Sequence, residues 1–184
     1  MAPSSPGPAR LLLPFALLAA GCADRPTAPP LVNEAVYRNE PVGVRFLAPE
    51  GWAVVSRADP PAGQLPRPVV LVSYMHSKGE KPAEFELVAA DVPEGDDPGR
   101  FLAEHRIGGE KWAVKGPPEA VSVGGPPATR YVMTRGAGKD EYRREATAVR
   151  RGGRVFFFVV SFGAADPERR DQARRCVESV TWTK

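Results

Sequence analysis

The sequence predicts an α+β domain, a mainly antiparallel sheet with helices packed on it. Three observations carry this. The run "VFFFVVSF" at 155–162 is apolar at successive positions, so a strand there must be covered on both faces. Two strand-like runs, 142–151 and 154–162, meet at Gly152-Gly153, and a two-residue hairpin turn demands positive φ. Two Asp-Pro pairs, Asp97-Pro98 and Asp166-Pro167, each open an apolar pattern of helical spacing. An all-β barrel or sandwich trimmed by two helices is the competing architecture. The doubly apolar strand and the C-terminal helix favour α+β.

Taken in order, residues 35–55 alternate as strands do: Val36 and Arg38, then Val44, Phe46 and Ala48. "NEPVG" and "PEGW" read as turns, and Trp52 opens a short strand to Val55. Residues 57–68 form a proline-rich loop. Residues 69–75 are apolar on both faces and belong to the sheet interior. Phe85, Leu87 and Ala89 alternate with Glu84 and Glu86, which predicts one wet face. A short helix follows Asp97 and ends near Gly108-Gly109. Residues 120–123 and 128–134 are two more strands, joined by "GGPP". The final hairpin places Arg151 opposite Arg154, Val149 opposite Phe156 and Thr147 opposite Phe158. Phe157 and Val159 then fall over Ala148 and Ala146. The last helix presents Ala173, Cys176, Val177 and Val180 to the sheet.

The N-terminus carries an address. Arg10 precedes an uncharged apolar run, 11–20, of the length of a signal-peptide core and too short to span a bilayer. The run ends in "LLAAGC", residues 17–22. Ala20-Gly21-Cys22 resembles the lipobox of bacterial lipoproteins, which implies cleavage before Cys22 and diacylation of its thiol. Ala19 stands where that pattern usually has a larger apolar residue. Two or more acyl chains anchor a protein stably, where one does so only marginally. Residues 1–21 are therefore expected to be a lipoprotein signal peptide, 22–34 a proline-rich tether, and 35–184 a single α+β domain. The expected location is the bacterial cell envelope, facing periplasm or exterior. Ala23 after the cysteine favours the outer membrane in a double-membraned host.

Composition narrows function. Loss of Arg10 with the leader lowers the net charge from +3 to +2, which argues against nucleic acid as a partner. With Cys22 acylated, Cys176 has no disulfide partner and reads as a small core residue. The two histidines, His76 and His105, lie in no metal-ligand spacing, and no cofactor is implied. His76 reads as a solvated loop residue and His105 as half-buried. Ser73, His76 and Asp91 are a conceivable hydrolytic set, but no nucleophile-elbow motif supports it. "GGPP" and "RGGR" lack the strand–loop–helix order of a phosphate cradle.

Three stretches, "FLAPEGW" (46–52), "VSVGGPPATRYV" (121–132) and "GRVFFFVVSF" (153–162), appear in an order that resembles the PsbP-like and DcrB-like superfamily. The resemblance runs from Tyr37 to about Trp182. It implies an αβα sandwich on an antiparallel sheet and a non-enzymatic accessory or binding role. It supplies no catalytic residue.

From Asp140 onward ten Lys/Arg outnumber seven Asp/Glu. Arg144, Arg151 and Arg154, with Trp52, are the candidate binding surface, although a core role is the favoured one for Trp52; Trp112 and Tyr74 are further exposed aromatics to consider. The arginines are either a solvated face or a contact with anionic headgroups. The expected function is a lipid-anchored, non-enzymatic envelope protein with the membrane as one partner and a protein or apolar ligand as another. The alternatives are an envelope hydrolase with a non-standard site and a carrier of a lipophilic ligand.

Overall fold

The computed structural model describes residues 36–79, 81–105 and 111–183, and the fold is that of the unit Asn33–Lys184. The expected signal peptide and tether lie outside the described residues. Eleven strands and two helices follow one another among them: β1 (Val36–Asn39), β2 (Val44–Leu47), β3 (Ala53–Arg57), β4 (Val69–His76), β5 (Ala83–Ala90), α1 (Pro98–Glu104), β6 (Ala113–Val114), β7 (Glu119–Ser122), β8 (Pro127–Arg135), β9 (Tyr142–Arg151), β10 (Arg154–Gly163), α2 (Pro167–Glu178) and β11 (Thr181–Trp182).

Eight strands form one antiparallel sheet in the order β3-β4-β5-β10-β9-β8-β6, with β7 also paired to β8. The remaining three form a small sheet, β1-β2-β11. The hairpin register is the one the sequence predicts: Arg151 faces Arg154, Val149 faces Phe156, and Phe157 faces Ala148. Gly152 and Gly153 turn the chain at φ 57° and 78°.

Strand β10 is central, between β5 and β9. Its alternate side chains feed two separate cores. Phe156, Phe158, Val160 and Phe162 enter the first, with Leu87 and Val149. Val155, Phe157 and Val159 enter the second, with Val88 and Ala146.

The first core is closed by the small sheet and α2 together. Phe46 of β2 packs edge-on to Phe158 and Phe85, with ring centroids 6.0 and 5.6 Å apart. From α2 come Ala173, Cys176 and Val177, all buried, and Val180 follows just beyond the helix end. Cys176 is buried in this core, as its spacing predicts, and its thiol donates to the Gln172 carbonyl at 3.2 Å.

The second core has a thinner cover. Helix α1 contributes buried Leu102 and Phe101, whose ring stacks on Phe157 at 6.1 Å. Asp97 caps α1 by accepting from the backbone amides of Gly99 and Arg100. The same carboxylate accepts from the Tyr131 hydroxyl at 2.6 Å, which ties the cap to β8. The approach is so close that a Cβ on Gly99 would lie 2.3 Å from the Tyr131 ring.

The helices-on-sheet expectation is thus met only in part. One helix lies on each face, but strands and loops provide much of the cover. Two short strands, β6 and β11, escape the sequence pattern because two residues are too few to show a period. Strand β3 differs as well. All five of its residues are exposed, because it is an edge strand with a register shift between Val54 and Ser56.

Phe158 is 1% exposed and serves the core where both layers meet. Phe158→Ala should cost about 3–5 kcal/mol in urea unfolding, with the slope of the transition unchanged. Gly99→Ala should loosen α1 from Tyr131, read as faster amide exchange at residues 99–105 than in the wild type, with β10 unchanged.

Candidate functional site

The basic residues of the final hairpin prove to be internal clamps. Arg150 donates to three carbonyl oxygens, those of Val92, Pro93 and Asp96, at 2.7–3.2 Å. It closes the loop that leads into α1. Arg151 donates to the carbonyl of Thr183 at 2.6 Å and lies over the Trp182 ring, so it holds β11 in place. Arg154 bonds Asp91 and the carbonyl of Gly63, pinning the proline-rich loop. Arg174 makes a two-pronged contact to Glu145 at 2.8 Å on both prongs, which fastens α2 to β9.

Arg144 is placed otherwise than expected. It is 4% exposed, on the β9 face that carries Ala146 and Ala148. Its Nε donates to the Ser161 hydroxyl at 2.9 Å, and its guanidinium carbon lies 4.2 Å from the centre of the Trp112 ring. The alternation could have shown this, since Arg144 sits two residues before Ala146 on the covered side.

Trp112 and Tyr74, considered as exposed aromatics, are buried, and Trp52 lies in the core, the place favoured for it. Trp52 donates from its indole to Gln172 of α2 at 2.9 Å. Arg151 and Arg154 are left at the surface, but both are spent on loops. The four candidate residues therefore do not form one exposed patch.

A buried polar cluster lies beside Arg144. Glu84 and Glu86 were expected to line a wet face of β5. That face instead continues into Val88 and Ala90 of the second core, because Leu102 of α1 and Trp112 cover it. Glu86 is 5% exposed, and its Oε2 has no hydrogen-bond partner. The Trp112 indole nitrogen is likewise buried and unpartnered. Ser73, opposite Glu86 in the β4–β5 register, donates to Glu84 at 3.0 Å.

Burial pushes the Glu86 carboxyl up to about 7; the Glu84 charge adds to the shift and Arg144 opposes it. Burial also draws Arg144 down to about 10 against the pull of both carboxylates. The cluster can hold a proton on Glu86 at neutral pH inside the sheet.

The conceivable hydrolytic set does not assemble. Ser73 and His76 are three residues apart on β4 and point to opposite faces. Ser73 bonds Glu84, while His76, buried rather than solvated, packs on Trp52 at 5.8 Å. Asp91 accepts from the Leu65 amide and from Arg154. His105 is exposed and stacks on Phe101 at 3.8 Å.

Among the described residues no three His, Cys, Asp or Glu gather as metal ligands. A pocket of about 540 Å³ lies against Lys81, Glu141, Arg143 and Asp166, and one of about 620 Å³ against Asp96, Asp97, Arg100 and His105. Both linings are mixed in charge, and neither reaches Glu86. No helix among the described residues is long and apolar enough to cross a membrane.

No sequence-family model matches the chain, and no curated protein sequence does. Solved structures do resemble it. The solution structure of cyanobacterial PsbP (CyanoP) from Synechocystis sp. PCC 6803 superposes with a TM-score of 0.58 at 14% identity, covering 81% of this chain and 92% of CyanoP. LpqN of Mycobacterium tuberculosis, described as involved in cell envelope biogenesis, superposes at 0.51 and 12% identity, covering 77% and 83%. The fold is PsbP-like. At these identities the likeness is one of fold alone.

Glu86 dictates a pH dependence of stability. Its folded pKa stands above the unfolded value of about 4.5. The stabilising effect is therefore complete below pH 4.5 and is lost as pH rises through 7. Wild-type protein should lose up to about 3 kcal/mol between pH 4.5 and 8 from this group. Glu86→Gln should flatten that slope, and urea midpoints at pH 5 and 8 for both proteins check it. Arg150→Met should cost about 1.5–3 kcal/mol and free the loop before α1, read as faster amide exchange at residues 94–97.

Proposed function

We propose that this chain is a lipid-anchored, non-enzymatic protein of the bacterial cell envelope, a domain that acts by contact with a partner. The observation that carries the reading is Ala20-Gly21-Cys22, which ends an apolar leader and stands ahead of one compact domain. The PsbP-like fold supports it, and so does a fold neighbour described as involved in envelope biogenesis. The dispersal of Ser73, His76 and Asp91 favours an accessory role over hydrolysis. The mixed linings of the two pockets described above favour a partner bound at the surface over a carried lipid. The Ala23 position favours the outer membrane in a double-membraned host.

Protein extracted from membranes should have an intact mass that begins at Cys22 and includes acyl chains. Cys22→Ser should move the chain from the membrane to the soluble fraction with its domain still folded. A bare chain cut at another position would overturn the anchor.

A further inference from the structure

The small sheet buries one face against the first core and leaves the other bare. Strand β1 alternates exposed Val36, buried Tyr37, exposed Arg38 and buried Asn39. Strand β2 alternates buried Val44, exposed Arg45, buried Phe46 and exposed Leu47. The register sets Val36 directly opposite Leu47 and Arg38 directly opposite Arg45. The outer face is therefore an apolar pair beside a cationic pair. Val36 is 44% exposed and Leu47 38%.

Two features of this face lack an internal explanation. Like charges directly opposed across two strands are destabilising. Here no carboxylate among the described residues is within ion-pair distance of either arginine. Arg45 donates to the Thr181 hydroxyl at 2.7 Å. The face also exposes a pair of large apolar side chains: of the five such residues among the described ones, Val36 and Leu47 lie opposite each other here, while Val54, Val55 and Val114 lie on the large sheet.

We propose that the outer face of the small sheet, centred on Val36, Leu47, Arg38 and Arg45, rests on the anionic surface of the membrane that holds Cys22. The inference rests on the lipid anchor proposed above. Val36 is the first described residue after the anchor, 14 positions beyond Cys22. Proline-rich chain of that length reaches about 40 Å at most, so the domain stays near the headgroups. Arg38 and Arg45 match phosphate charge, and the neighbouring apolar pair suits the headgroup–acyl boundary. A second copy of the chain is a poorer occupant, because two such faces would bring four arginines together.

The test uses the full acylated chain in vesicles of phosphatidylcholine, with or without phosphatidylglycerol. An environment-sensitive dye is placed by Leu47→Cys, by Val36→Cys, or at the far end of the large sheet by Val114→Cys. Cys176 is buried and takes no label. In phosphatidylglycerol vesicles the dye at 47 or 36 should shift to the blue and resist an aqueous quencher, and the dye at 114 should not. Raised salt should weaken this effect.

Arg38→Glu with Arg45→Glu should lower the docked-to-free ratio by at least roughly thirty-fold while the chain stays on the vesicles. An acylated, vesicle-bound chain whose dyes at 36 and 47 are quenched as freely as that at 114 would overturn the docking alone. Protection at 36 and 47 in detergent without a bilayer, with doubled mass, would assign the face to a second copy and also overturn it. A chain that carries no acyl mass would overturn the anchor, and the docking with it.

Discussion

Strand β10 cannot have a wet face. Phe156, Phe158, Val160 and Phe162 point one way, and Val155, Phe157 and Val159 the other. Burial of each such side chain is worth about 1.5–3 kcal/mol, so both sides must be covered. Everything else in the domain answers that constraint. The small sheet and α2 close one side, and α1 with Trp112 closes the other. The other strands of the large sheet extend outward from β10, so its edges are β3 and the short β6 and β7.

The two covers are unequal, and this explains where the charges go. The first core is rich in aromatic contacts across its layers. The second is closed by a seven-residue helix and one indole, so polar groups are drawn in at its margin. Glu86, Ser73, Ser161 and Arg144 all sit where the strands that carry them continue beyond the apolar part of that face. Their burial raises a carboxylate and lowers a guanidinium in the direction of neutrality.

Arginine is used here chiefly as a fastener. Arg150, Arg151, Arg154 and Arg174 each join the hairpin or α2 to a segment distant in sequence, mostly through carbonyl oxygens that have no other partner in a ladder. A planar group with five donors in a fixed fork can satisfy several such oxygens at once with less ordering than lysine's single flexible ammonium. A count of basic residues along the chain therefore overstates the charge this end presents to a partner. Arg38 and Arg45 carry less weight in such a count, yet they lie opposite each other on an open face.

The sequence by itself determined the local rules: the diglycine hairpin and its register, the two Asp-Pro helix starts, the doubly apolar strand, and the core placement of Cys176. These depend on φ preferences, on capping, and on a period of two or 3.6, all of which act within a few residues. Only the tertiary structure decided the rest. It paired β1 and β2 with β11 as a second layer, buried Trp112 and Tyr74, turned the Glu84–Glu86 face inward, and put Arg144 under an indole. Whether a strand face is wet depends on what crosses it, and those covering segments lie dozens of residues away. Ser73 and His76 could not meet because neighbours three apart on a strand face opposite ways, but what each touches instead is fixed by long-range packing.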